Sequence, residues 1–133
     1  MTVGLSVTSI ADDERLVRFV LHKDLIRKDN TVRPAAFIPY RHILLSVTRH
    51  ISLSDPQIWD LGRGVADQQN KNLYGRADVL AANVRKIKLE AIPDPIPGNP
   101  NHAEISGWPA DKPTQMSFAQ QLAEKSNYVA NPG

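Results

Sequence analysis

The stretch "ILLSVTRHISLSDPQIWDL", residues 43–61, carries two hydrophobic periods within one short span. Ile43 to Thr48 is aliphatic and β-branched, which predicts a strand, and Pro39 just ahead of it fits a strand start or an edge because proline has no N–H to give to a ladder. After Leu53 the period changes. Ser54 is placed to cap a helix, Asp55 suits the first turn, Pro56 is tolerated at an early helical position, and Ile58, Leu61 and Val65 recur at three- and four-residue spacing. These signals predict a helix near residues 54–70 with Trp59 beside its apolar stripe. Gly62 and Gly64 each weaken that helix by roughly 1 kcal/mol relative to Ala, and the polar tract "DQQNKN" closes it. A strand that runs straight into a helix points to a mixed α and β architecture.

Working outward, "LVRFVLH" at residues 16–22 reads as a strand, although adjacent apolar pairs break a clean alternation and suggest a central position. "KDLIRKDNTVRP" reads as a polar turn ahead of Pro34. The segment "YGRADVLAANVRKIKLEAI" predicts one or two strands, with a short helix through "ADVLAANV" as the competing reading. Residues 93–113 hold six of the ten prolines, which excludes a long regular element and predicts a stiff surface excursion on either side of "HAEIS", itself a short strand. "TQMSFAQQLAEKSNYV" puts Phe118, Ala119, Leu122 and Ala123 on one helical face and predicts a second helix near 114–126, stopped by "ANPG". "LSVTSI" at residues 5–10 echoes "LSVTRHI" at 45–51, consistent with two similar amphiphilic strands. The expectation is a single α+β domain over residues 1–133, with a mixed or antiparallel sheet of four to five short strands and two helices.

A length of 133 residues suits one domain with one modest core. With 41% hydrophobic and 23% charged residues the composition is that of a globular protein, and two Trp, three Tyr and three Phe leave the core mostly aliphatic. No apolar run is long enough to span a membrane, and the N-terminus has neither the basic start nor the apolar segment of a secretory signal, so a cytoplasmic location is expected. The absence of cysteine excludes disulfides, thiolate metal sites and cysteine nucleophiles. The net charge of +2 is unevenly spread: residues 15–50 carry eight bases against Asp24 and Asp29. That segment, Arg27 and Lys28 included, is a candidate footprint for nucleic acid, because phosphates are contacted chiefly by Lys and Arg. A solvated basic face is the plainer alternative.

No Walker-type phosphate loop, Gly-x-Gly-x-x-Gly turn, Gly-x-Ser-x-Gly elbow or His-Glu-x-x-His pair occurs, and no cofactor is expected. On a continuous strand His42 and His50 would stand about 26 Å apart, so the histidine spacing predicts no metal site. "NHAEIS" is the most chemically suggestive stretch. Alternation puts His102, Glu104 and Ser106 on one face and Ala103 and Ile105 on the other. His102 is expected chiefly to donate a hydrogen bond that fixes the proline-rich loop against the strand, with a binding role as the alternative. Trp108, framed by Gly107 and Pro109, is a candidate surface aromatic for a protein partner, and Tyr74 and Trp59 are further aromatics suited to an interface, with core packing an equal reading for Trp59.

Arg18 on one strand, Ser46 and Thr48 on a second and Glu104 on a third resemble the arginine-serine-glutamate layout of ADP-ribosyltransferases. In that family arginine holds the phosphates of the nicotinamide dinucleotide and glutamate positions the attacked ribose, which implies a catalytic trio of Arg18, Ser46 and Glu104. Here the family's Ser-Thr-Ser stands as Ser-Val-Thr, and the first acid of its Glu-x-Glu stands as His102. More broadly, "RPAAFIP", "LLSVTRH" and "NHAEISGWP" look like a group of small uncharacterised bacterial proteins that share Ala-Phe, Leu-Ser-Val and His-Ala-x-Ile-x-Gly elements. That likeness implies a bacterial α+β domain in which the three elements lie close together. With every catalytic constellation incomplete, a non-enzymatic binding or accessory module is expected; a nucleotide-dependent transferase and a weak nucleic-acid binder are the alternatives.

Overall fold

The computed structural model describes residues 8–39 and 43–133. Within these described residues six strands form one antiparallel sheet: β1 (Arg15–Val20), β2 (Leu45–Arg49), β3 (Gly75–Leu80), β4 (Glu90–Pro93), β5 (His102–Ser106) and β6 (Asn127–Ala130), in the order β4-β5-β2-β1-β3-β6. Three α-helices accompany them, α1 (Asp55–Gln68), α2 (Ala81–Lys86) and α3 (Lys112–Lys125), with a 3₁₀ turn at Pro34–Phe37. The domain is therefore α+β as expected, with more strands and one more helix than four to five and two.

β1 reads imperfectly from the sequence because both of its faces are covered. Leu16 and Val20 enter the main core with Leu45, Val47, Ala77, Val79, Ala103 and Ile105, beneath α2, α3 and the 3₁₀ turn. Val17, equally buried, points the other way, toward α1. A strand buried on two sides needs apolar residues at consecutive positions, so alternation is lost.

The competing readings of residues 75–93 are both realised, in series: strand β3, the short helix α2, then strand β4. β6 was hidden because "NYVA" follows α3 directly; Ser126 ends that helix through its N–H and its hydroxyl, both donating to the Ala123 carbonyl. Of the amphiphilic echo at 5–10, residues 5–7 lie outside the described residues and Thr8–Ile10 is not strand.

α1 starts as its sequence dictates. The Ser54 hydroxyl accepts from the Gln57 N–H while the Gln57 carboxamide accepts from the Ser54 N–H, a reciprocal cap. The helix does not fail at its glycines, because Gly62 is a contact point: a Cβ there would stand 2.7 Å from the Phe19 ring of β1. Trp59 packs its ring 5.0 Å from the Arg76 guanidinium on β3. α1 thus covers the β1–β3 half of its face, and among the described residues no helix lies over the β4–β5–β2 half of that face. Among the described residues no helix is long and apolar enough to cross a membrane.

Candidate functional site

The β4–β5–β2 half of the sheet is where the chemistry gathers. On β5, Ala103 and Ile105 are fully buried in the core, so His102, Glu104 and Ser106 project to the opposite face, as alternation requires. β2 pairs Ser46 with Glu104 and Thr48 with His102, and β4 pairs Ile92 with Glu104. Continuing the β4 register one step places Asp94 across from His102, and the Asp94 N–H donates to the His102 carbonyl at 2.9 Å. Asp94, Ile92, His102, Glu104, Ser46 and Thr48 therefore share one face.

The turn between β4 and β5 is held rigidly. Gly98 adopts φ +84°, a conformation open to glycine, beside the bridge between Ile96 and Asn99. The Asn99 amide donates to the Thr48 hydroxyl at 2.9 Å, and the Asn101 amide donates to the carbonyls of Arg49 and Ile51, both at 3.0 Å. The proline-rich excursion is thereby pinned to β2 at its tip.

His102 Nδ1 lies 2.9 Å from the Asp94 carbonyl oxygen and 3.3 Å from Asp94 Oδ2. A carbonyl only accepts, so Nδ1 carries a hydrogen and donates, tying the loop to the strand. On the other side of the ring, Nε2 stands 3.6 Å from Glu104 Oε1, which also accepts from the Ser46 hydroxyl at 3.3 Å. Glu104 Oε2 is buried and receives no hydrogen bond. One ligand atom from each of Asp94, His102 and Glu104 lies within 4.8 Å of the other two. Hydroxyl, carboxylate and imidazole stand in a row with the carboxylate in the middle. The imidazole is therefore not placed to take the Ser46 proton, as a serine nucleophile would need.

Arg18 touches this cluster from behind. By alternation it leaves β1 with Leu16 and Val20, on the face opposite Ser46 and Glu104. The β1–β2 ladder comprises only the pairs Leu16–Arg49 and Val17–Thr48. Beyond it the Ser46 carbonyl accepts from Arg18 Nη1 at 3.0 Å, while Nε donates to the Ala36 carbonyl of the 3₁₀ turn at 3.0 Å. Burial pushes the guanidinium down to about 10, with the Glu104 charge opposing that shift. Arg18, Ser46 and Glu104 are thus neighbours, but two edges of the guanidinium are engaged with backbone oxygens rather than turned to a shared cleft.

The remaining candidates are dispersed. Trp108, expected at the surface, is a core residue, 7% exposed, whose Nε1 donates to the Ile105 carbonyl and whose ring lies 6.4 Å from that of Phe118. Trp59 is likewise buried and Tyr74 half-buried. Arg27 and Lys28 are exposed, Arg27 also donating to the Val32 carbonyl. Of the other bases in the 15–50 segment, Arg49 is fully buried in a two-point pair with Glu14, and Arg41 lies outside the described residues, as does His42.

Leu44, 40% exposed, and Ile92, 47% exposed, flank the Glu104 cluster with apolar surface. An open groove of about 320 Å³ runs nearby, between α1 and the turn, lined by Leu53, Gln57, Asp60, Leu61, Pro100 and Asn101. Asp94 is the functional candidate that sequence reasoning missed. Its approach to His102 depends on how far the β4–β5 hairpin extends, which the pairing register fixes and the proline pattern conceals. Compared with protein-family models, curated proteins and solved structures, the chain has no match in any of the three.

Proposed function

We propose that the chain is a non-enzymatic binding module whose recognition point is the Asp94–His102–Glu104–Ser46 cluster on the β4–β5–β2 half of the sheet. One observation carries the reading: Glu104 holds an oxygen out of water with no donor to satisfy it, a state that costs about 1–3 kcal/mol or more until a ligand supplies that donor. The ligand in this reading brings positive charge or a hydrogen-bond donor to Glu104 and apolar surface to Leu44 and Ile92. Catalysis is disfavoured by the order of the groups, with the carboxylate between hydroxyl and imidazole, and by the engagement of Arg18 with two carbonyls.

The test is a thermal-shift panel of primary amines, arginine-containing peptides and divalent cations, run on the chain and on Glu104→Gln. A ligand at 100 times its dissociation constant adds roughly 2.7 kcal/mol to stability, which for a chain of this size raises the melting temperature by several degrees. The expected result is at least one class that stabilises the native chain and loses its effect in the variant. A panel that moves neither protein, or moves both equally, removes the reading.

A further inference from the structure

We infer that Asp94, His102 and Glu104 form a binding site for one divalent transition-metal ion. The inference rests on the reading of this cluster as the recognition point and names the ligand.

The tautomer is the starting point. With Nδ1 giving its hydrogen to the Asp94 carbonyl at 2.9 Å, the form of the ring that can ligate a metal has its Nε2 lone pair turned toward Glu104. Nε2 and Oε1 are 3.6 Å apart, longer than a hydrogen bond. Two electron-rich atoms then face each other across a gap, and a cation placed between them turns the repulsion into two bonds. An ion bound at about 2.0–2.2 Å to nitrogen and carboxylate oxygen holds neighbouring ligand atoms about 3–3.6 Å apart, the spacing found here. The Nδ1–H to carbonyl bond is the outer contact that usually fixes a metal-binding imidazole. The orphaned Glu104 Oε2 supplies a second oxygen without breaking an existing hydrogen bond. Asp94, its side chain 52% exposed, has room to rotate its carboxylate inward, and one atom of each residue already lies within 4.8 Å of the others.

One nitrogen and two carboxylates, with room for water on the solvent side, suit zinc or manganese. Calcium asks for six to eight oxygens, and magnesium for a near-octahedral oxygen shell. Arg18 limits the affinity, since its charge is felt at Glu104 from behind the sheet. The two carboxylates outweigh it.

Zinc and manganese(II) are titrated separately into chelator-treated protein by calorimetry, and the histidine ring nitrogens are followed by NMR on the native chain. The expected result is one ion per chain and a large shift of His102 Nε2. Affinity should weaken by about tenfold or more in both His102→Ala and Glu104→Gln, with His22→Ala unaffected. The ring shift needs no variant, so misfolding of one does not blunt the test. Zinc binding that leaves His102 Nε2 unmoved, or that survives Glu104→Gln unweakened, overturns the inference, as does failure of both ions to bind. If amines or arginine peptides still act through Glu104 when neither ion binds, the metal inference falls alone; if no probe acts through Glu104, the binding reading falls with it.

Discussion

Asp78 and Arg76 sit two apart on β3, both almost fully buried, with Arg76 Nε 3.3 Å from Asp78 Oδ1, close enough to attract but not aligned to hydrogen-bond. Arg76 reaches out to Asp55 on α1 at 3.1 Å, while neither Asp78 oxygen receives a hydrogen bond. Burial accordingly raises the Asp78 pKa, against the lowering pull of Arg76, Arg15 and His50. For an acid whose folded pKa is raised, the native state holds the extra proton between the ordinary and the raised value, so this group's contribution to stability falls as pH climbs through that window. Urea unfolding followed upward from about pH 4 should show that decline, and Asp78→Asn should abolish its Asp78 share. By the same sign the variant should gain stability at neutral pH, because Asn stands in for the protonated acid that the buried site favours, while Arg76 keeps Asp55 and the Trp59 ring. An unchanged pH slope in Asp78→Asn would contradict the assignment. At the same scale, Arg18 was expected to hold phosphates, and in the fold its guanidinium donates to two backbone carbonyls. Its charge and strand position were visible, whereas the carbonyls it serves exist only where β1 and β2 part.

α1 makes the clearest comparison at the level of an element. Its cap, its stripe and its length followed from residues 54–70, and the helix was found at Asp55–Gln68. Its two glycines look equivalent in sequence, each a weak point. In the fold Gly62 is the floor on which Phe19 rests, with Leu73 3.0 Å from the position of a Cβ, and nothing lies within 4 Å of a Cβ at Gly64. The substitutions should therefore have opposite signs. Gly64→Ala should stabilise by about 0.5–1 kcal/mol through helix propensity. Gly62→Ala should destabilise by about 1–3 kcal/mol, since the ring must move in a packed layer. Paired thermal melts decide this, and two stabilised variants would show that α1 does not press on β1 as described.

For the whole molecule, the fold withdraws two bases of the footprint that composition suggested and leaves others at the surface. Arg49 is paired with Glu14 and Arg18 with two carbonyls, whereas Arg15, Lys23, Arg27, Lys28 and Arg33 are exposed, the last four beside the exposed Asp24 and Asp29. With few phosphates within reach, single-stranded or duplex DNA should bind weakly even in dilute salt, with a shallow dependence of affinity on salt. Arg27→Glu with Lys28→Glu should change it little. A salt slope equivalent to about five or more released counterions would restore the nucleic-acid alternative.

Local patterns determined the elements whose signals are local. The Ser54 cap, the 3.6-residue stripe of α1 and the outward face of "HAEIS" depend on neighbours a few residues away, and the chain carries that information in order. Tertiary structure decided what depends on partners distant in sequence. β6 is a strand because β3 offers it an edge; Trp108 is buried because Phe118 comes over it; His102 meets Asp94 because the β4–β5 register runs one step further than the prolines imply. The sequence placed His102 and Glu104 side by side, but only the pairing of three strands left Glu104 with one oxygen facing an imidazole and the other buried and unsatisfied. The physical reason is that alternation is a property of one strand, whereas desolvation and charge proximity are properties of everything packed around it.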